Sequence, residues 1–367
     1  ALLVHVSQCV EFTCQRLERG RRVKTGVLLM NTGTADEPSV AAIRTYLHEF
    51  LMDPAIIGAP EFIRKRIVNH ICRNRPQKTL ANYEAFWTLE GSPFTNGCYK
   101  QARALEAQLR QRLGEDTRVV VAMRYGNPSV LDGLHELRVA GCDRVVVLPS
   151  YPQQVRVCTG SCIKRVREVL ASLGQRYGWQ PELVVVPYFY DQYAYRMALA
   201  RQVARYWRYS EGARLVVSFH STLLADIEAG DPYRDQVEQT VAQLTADLRL
   251  PSEAVSLSYQ SRFDNRKWLQ PLTESAVLEM ARSGVKDLSV VCPGFTVDNM
   301  ETVLGINNDA KGWWDHDSQL SSCCRFEGLG DGGWGDAWGE IAFWKRYPEG
   351  PRKNAIYAPK VTFQETI

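Results

Sequence analysis

Leu215-Val216-Val217-Ser218-Phe219 is a short, mostly apolar run, and His220 follows it with no spacer. Runs of this kind suit strands that are covered on both faces, as in a parallel sheet. Similar runs recur on either side: Val23 to Met30, Arg118 to Met123, Val145 to Leu148, Leu183 to Val186, Ala254 to Tyr259 and Leu288 to Cys292. Helix-like stretches alternate with them. After Ser39, the residues Val40, Ile43, Leu47, Phe50 and Leu51 recur at helical spacing. Leu105, Leu109 and Leu113 mark another helix, which Gly114 closes. This alternation predicts an α/β fold of parallel sheets with crossover helices.

At 367 residues the chain is long for one compact core, so two are expected. An apolar fraction of 45%, with 16 Tyr and 9 Trp, argues against disorder. The formal charge of +3 argues against a dedicated nucleic-acid binder. No run has the apolar length of a membrane span. The basic first segment, Arg16 to Lys24, lacks the apolar core of a secretory signal. None of the ten cysteines forms a C-x-x-C pair, and none recurs at zinc or iron–sulfur spacing. Reduced thiols in a cytoplasmic protein are the expectation.

The stretch Pro187–Tyr193 separates about four strands from about three, and Asp191 is expected to open a long helix. The division predicted is an N-terminal extension over 1–23, α/β domains over 24–190 and 191–309, and an atypical segment over 310–367. In open parallel sheets, ligands bind at the carboxyl ends of strands. The informative segments are therefore Asn31–Gly33, Arg124–Pro128, Pro149–Gln154, His220–Leu224, Gln260–Phe263 and Pro293–Glu301, which together can line one cleft.

A lone histidine after a strand is more often a structural hydrogen-bonder than a catalyst. Complementary chemistry follows a second run, where Leu288–Cys292 leads into Pro293-Gly294-Phe295-Thr296-Val297-Asp298-Asn299-Met300-Glu301-Thr302. A helix starting near Asp298 puts Asp298 and Glu301 at i and i+3 on one face. The same spacing reads as Asp298 at the N-cap with Glu301 at N3, a capping-box-like arrangement. Spacing alone does not separate capping from catalysis.

The wider pattern resembles the ferrochelatases, which insert ferrous iron into a porphyrin. It runs from about Thr25 to about Asn308, and any single tetrapeptide in it is weak. Thr25-Gly26-Val27-Leu28-Leu29-Met30-Asn31-Thr32-Gly33-Thr34 is similar to the family's opening strand and loop. Arg75-Pro76-Gln77-Lys78, Glu90-Gly91-Ser92-Pro93 and Arg124-Tyr125-Gly126-Asn127-Pro128 follow in order. So do Leu148-Pro149-Ser150-Tyr151-Pro152-Gln153, Ser218-Phe219-His220 and Gly230-Asp231-Pro232-Tyr233. Tyr259-Gln260-Ser261-Arg262-Phe263, Trp268-Leu269-Gln270-Pro271, Cys292-Pro293-Gly294-Phe295 and Asp298-Asn299-Met300-Glu301-Thr302 complete the series. Joint order and spacing carry the resemblance, which is nearest to the proteobacterial form.

The resemblance implies two similar Rossmann-like, chelatase-type domains, each a parallel sheet flanked by helices, with a cleft between them. It implies protoporphyrin IX and ferrous iron as substrates, iron being cargo rather than a resident cofactor. The family's invariant His and Glu fall on His220 and Glu301, as metal ligands and proton acceptors, with Asp298 in support. Imidazole titrates near neutrality, and a His with a carboxylate suits transient Fe²⁺ binding. Phe295 falls where an aromatic packs on the macrocycle. Arg75, Arg124 and Tyr125 fall where the family contacts or borders the porphyrin and its propionates, and a guanidinium fork suits carboxylates. For both arginines the plain alternative is an ordinary ion pair. The cysteine set of cluster-bearing relatives is missing, so no [2Fe–2S] cluster is expected. Peripheral membrane contact is compatible with the resemblance, and no oligomeric state is implied.

Departures from the family pattern are local. Its His-Gly-Ile/Leu-Pro turn reads His220-Ser221-Thr222-Leu223, which changes backbone freedom after the histidine. Gly305 stands where the first of two further carboxylates is usual, while Asp309 keeps the second. The loop after Tyr-Pro-Gln, usually small and hydroxyl-rich, is the bulkier Gln154-Val155-Arg156-Val157-Cys158. Beyond Asp309, Gly328–Gly335 is glycine-rich, and Trp313, Trp314, Trp334, Trp338 and Trp344 crowd a short span. That tail reads as a poorly ordered extension or an altered reading of the coding sequence. These departures motivate a second expectation: a porphyrin- or haem-binding protein with lost or reduced turnover. Coproporphyrin and other metals stay open as substrates.

Overall fold

In a computed structural model, β1 (Thr25–Asn31) lies at the centre of the first sheet. It is flanked by β2 (Arg118–Met123) on one side and by β3 (Arg144–Pro149), then β4 (Glu182–Val185), on the other. All four strands are parallel. The structure describes residues 23–207, 209–262, 264–309, 324–326 and 343–346. The expected tail features at 313–314, 328–335 and 338 lie outside those residues, as do residues 1–22.

Crossovers are supplied by α1 (Val40–Leu51), α2 (Glu61–Phe86) and α3 (Pro93–Leu113), then by α4 (Val130–Val139) and α5 (Ser161–Tyr177). A single π-turn, Arg156–Gly160, leads into α5. The chain passes to the second sheet through α6 (Tyr193–Tyr206), which starts two residues later than Asp191. There β5 (Arg214–His220) is flanked by parallel β6 (Val255–Gln260) and β7 (Leu288–Val291). Helices α7 (Leu224–Glu228), α8 (Tyr233–Asp247) and α9 (Thr273–Arg282) connect them, and a nine-residue π-helix, Glu301–Asp309, follows β7. The second sheet is not purely parallel, as had been expected. Two short strands from the tail, β8 (Cys324–Phe326) and β9 (Phe343–Arg346), extend it, with β9 antiparallel to both β7 and β8.

The two-residue period of a strand assigns the core. On β1 to β3, Val27, Leu29, Val121, Met123, Val146 and Leu148 face α3 and the second half. Their neighbours Leu28, Met30, Val120, Ala122, Val145 and Val147 face α4 and α5. In the second sheet Leu215, Val217, Phe219 and Val291 join the first of these clusters, so one apolar core runs through both halves. Val216, Leu288 and Val290 turn to α9 and to Ile306 of the π-helix.

Local chemistry fixes several element ends. Ser39 Oγ accepts from Ala42 N–H at 3.2 Å and caps α1. Ser129 and Asp132 form a reciprocal capping box on α4. Helix α2 carries Pro76 in its interior, which leaves the Cys72 carbonyl without its i+4 donor. Arg44 Nε of α1 takes that carbonyl at 3.2 Å, so a neighbouring helix repairs the break.

Candidate active site

His220 is the last residue of β5, half-buried, opposite Gln260 of β6. Its Nδ1 lies 2.7 Å from the Ser221 carbonyl oxygen. With Nδ1–H as donor there, the basic lone pair is on Nε2. The Phe295 ring stands 6.5 Å away at 74°, edge to face. The turn that lost Gly and Pro is stitched down instead. Ser221 N–H donates to the Gln260 carbonyl at 2.7 Å, and Ser221 Oγ to the Leu269 carbonyl at 3.2 Å. Leu269 N–H returns to the Thr222 carbonyl at 3.0 Å, and Leu224 N–H reaches Lys267 at 2.9 Å. Neighbouring backbone thus replaces the sequence-encoded rigidity of the family's turn.

The segment from β7 to the π-helix is held by the first half. Gln101 Nε2 of α3 donates to the Thr296 carbonyl at 2.5 Å, and Thr296 Oγ1 donates to the Ser150 carbonyl at 2.9 Å. The carboxyl ends of the two sheets therefore meet, and Asp298 and Glu301 stand at that junction. Neither acts as the expected capping pair. Asn299 takes the cap: its Oδ1 accepts Thr302 N–H at 2.9 Å, and Thr302 Oγ1 accepts Asn299 N–H at 3.1 Å. A side-chain amide offers an acceptor there without placing a charge at the cap, and Thr302 Oγ1 still donates to Asp298 Oδ1.

Burial pushes the Asp298 carboxyl up to about 6, against the opposing pull of the Thr302 hydroxyl, which lies 3.2 Å from Oδ1. A carboxyl shifted that far changes its charge close to neutrality. Glu301 opens the π-helix, and next to it Met300 packs against Tyr46 and Tyr83 of α1 and α2. Burial raises the Tyr83 phenol to about 12, with the nearby Glu301 charge adding to the shift. Tyr46 is raised as well, by burial first and then by the charges of Tyr83 and Glu301. Two neutral phenols thus flank the carboxylate.

Arg124 and Tyr125, at the end of β2, belong to a closed network centred on Asp53. Its carboxylate accepts from Ala55 N–H at 2.7 Å, Tyr125 Oη at 2.9 Å and Ser161 Oγ at 2.5 Å, and pairs with the Arg124 guanidinium. Arg124 Nε also donates to Ser161 Oγ at 2.7 Å. Burial by itself would raise the Asp53 carboxyl, but the Ser161 and Ala55 hydrogen bonds, with Arg124, hold it below its ordinary value. Arg124 is thus ion-paired inside the fold, and Tyr125 is buried. Arg75 sits exposed on α2, one residue before Pro76. Among the described residues no three His, Cys, Asp or Glu side chains form a ready-made metal cage. Asp53, Ser161, Tyr46 and Tyr83 carried no sequence signal beyond helical periodicity at Tyr46 and a carboxylate at a helix end.

An imidazole at the end of one strand and acids beyond another thus stand where the carboxyl ends of two α/β sheets meet. Residues 24–331 match the family model described as Ferrochelatase, which carries the match beyond Asn308. A ferrochelatase of Azoarcus sp. is 38% identical over 316 residues, covering 86% of this chain and 82% of that protein. One from Methylibium petroleiphilum is 39% identical over 294 residues, 80% of each chain. One from Herminiimonas arsenicoxydans is 40% identical over 297 residues, 80% of this chain and 78% of that one. The chain belongs to the ferrochelatase family, the porphyrin metal chelatases that insert iron into protoporphyrin in haem biosynthesis.

Proposed function

We propose that the chain metallates protoporphyrin IX with Fe²⁺ through His220 and Glu301. The reaction exchanges two pyrrole N–H protons for one Fe²⁺, so it needs two proton acceptors and a transient hold on the metal. His220 supplies the Nε2 lone pair from the end of β5, and Glu301 supplies a carboxylate from the π-helix. Asp298, titrating near 6, takes protons onward from the pair. Phe295 packs on the macrocycle beside His220, and the exposed Arg75 meets a propionate. Arg124 and Tyr125 border the substrate, with Asp53 holding both. The single observation that carries this reading is the His220 ring, locked by Ser221 beside Phe295 at a strand end, in a chain of this family.

Absorbance change as Fe²⁺ or Zn²⁺ enters protoporphyrin tests it, with E301Q expected to lower kcat by about 10²- to 10⁴-fold. Tight porphyrin binding without metallation would favour the binding-protein reading, which Gly305 motivates. Preference for coproporphyrin would change the substrate but not the site. The same reading gives the chain a cytoplasmic setting with peripheral membrane contact. Phe62, 69% exposed, stands beside exposed Ile63, Lys65, Arg66 and Ile67 on α2, a mixed apolar and cationic face suited to an anionic lipid surface. Among the described residues no helix is long and apolar enough to cross a membrane.

A further inference from the structure

The loop after β3 departs from the family pattern, and it bonds across to the second half. Gln153 Nε2 donates to Thr240 Oγ1 at 3.0 Å, and Gln154 N–H to Gln236 Oε1 at 2.7 Å. Arg156 N–H donates to Asp231 Oδ2 at 2.8 Å, while its guanidinium pairs with the largely buried Asp226. Asp231 uses its other oxygen, Oδ1, to accept Tyr233 N–H at 3.0 Å at the start of α8. Tyr233 Oη, at the far end of a buried side chain, donates to the His220 carbonyl at 2.9 Å. One continuous path of contacts thus runs from the β3 loop through Asp231 and Tyr233 to the backbone of His220.

That carbonyl matters because the chain gave up Gly and Pro after the histidine. The His220–Ser221 peptide has no local device to set its plane, yet Ser221 O is the atom that orients the imidazole through Nδ1. That oxygen belongs to the following peptide, so a tilt of the His220–Ser221 peptide would carry it along and turn the ring with it. From outside the turn, Gln260 O holds Ser221 N–H and Tyr233 Oη holds His220 O, one contact on either side of the pivot. We propose that Tyr233, anchored by Asp231 to the β3 loop, is a positioning residue that fixes the His220 peptide and so aims Nε2 at the reaction face. The proposal rests on the role given above to His220. Burial keeps the phenol protonated, as a donor to a carbonyl requires.

The isosteric Y233F removes only the donor. In the full chain it is expected to lower kcat by about 5- to 30-fold, while KM for protoporphyrin stays within about twofold. D231N is expected to have a smaller effect in the same direction, since its amide keeps one oxygen acceptor and turns an NH2 toward the other of the two N–H donors. A readout independent of turnover separates this inference from the chelatase reading. The His220 imidazole signals, assigned in a ¹⁵N-histidine spectrum by their loss in H220A, should shift in Y233F while those of His48, His70 and His135 stay put. Unchanged His220 signals, or a Y233F loss that appears in KM and not in kcat, would overturn the proposal. Shifted His220 signals in Y233F, beside a wild-type protein that never metallates porphyrin, would instead count against the chelatase reading alone.

Discussion

β1 and β5 are the same strand built twice. Each is seven residues long, and each lies between the next two strands of its sheet. Each ends level with the strand that follows it, Asn31 opposite Met123 and His220 opposite Gln260. The next connections match as well. Met123 N–H donates to Pro128 O at 2.7 Å and Tyr259 N–H to Pro271 O at 2.8 Å, and both prolines follow cis peptide bonds. What differs is the state of the polar groups on that shared frame. In the first half they are closed on one another: Asn31 Oδ1 on Thr32 N–H, Thr32 Oγ1 on Tyr151 Oη, and Arg124, Tyr125 and Ser161 all on Asp53. In the second half the Asp298 carboxyl, bonded to Thr302 Oγ1, is pushed up to about 6, and Glu301 opens the π-helix beside it. On the function proposed above, the first half is a wall and its twin holds the groups that exchange protons.

The matching strand ends provide the strongest test of that division. H220A is expected to lower kcat by about 10³-fold, the loss that follows removal of a positioned proton acceptor. N31A, at the same place on the twin strand, should keep turnover within about tenfold but cost roughly 1–3 kcal/mol of stability, since Thr32 N–H loses its acceptor. Comparable turnover losses in the two variants, measured beside urea unfolding, would erase the distinction between wall and reactive half.

Asp53 and Asp298 sharpen it, because their shifts oppose each other. The Asp53 carboxyl lies below its ordinary 3.8, so its contribution to stability is present above that pH and fades as the pH falls through the folded-state value. The folded chain holds the Asp298 proton between 3.8 and about 6, where the unfolded chain has lost it, so stability falls as the pH rises through that window. D53N should therefore destabilise by roughly 2–4 kcal/mol at pH 7.5, leaving Arg124 a buried cation without its partner. D298N should stabilise by roughly 1–2 kcal/mol at pH 7.5 and change little at pH 4. The same D298N should flatten a rise in kcat centred near pH 6 in the wild type. Thermal melts at the two pH values decide both signs, and equal signs would mean that the two carboxyls share one role.

How much of this was readable from the residues follows the range of each interaction. The strand runs were legible because burial on both faces writes itself as continuous apolar sequence, and the chemistry at their ends followed from where ligands bind in such sheets. Asp53 was not legible. Its partners Arg124, Tyr125 and Ser161 lie 71, 72 and 108 residues away, and nothing near Asp53 announces them. Spacing left the cap open because Asp298 with Glu301 and Asn299 with Thr302 are both three apart, and only the hydrogen bonds tell the pairs apart. Nor does apolar period reveal a π-helix, since Val303, Leu304 and Ile306 suit either helical pitch. Helix α2 escaped notice for a related reason, its length being nearly uniform in polarity with a proline inside. The tail, atypical in sequence, supplies β8 and β9, which no apolar run there announces.

Gly305 gives the smallest expected effect and the finest probe of the reactive half. It lies four residues after Glu301 on the π-helix, where the family pattern has a carboxylate. A Cβ there would meet only the Met300 carbonyl oxygen, at 3.9 Å, an ordinary contact, so the backbone accepts a side chain. G305E should gain roughly 0.5–1 kcal/mol of stability from the lost glycine freedom alone. If the acidic row beyond Glu301 conducts protons or iron, the same change should raise kcat by about two- to fivefold at limiting Fe²⁺, a lowering of the barrier by less than 1 kcal/mol. G305A separates the two terms, since it provides the helix propensity without the charge. Turnover that rises equally in both variants would assign the gain to helix order. A rise in G305E alone would extend the proton-exchanging row one step past Glu301, into a segment for which the first half has no counterpart.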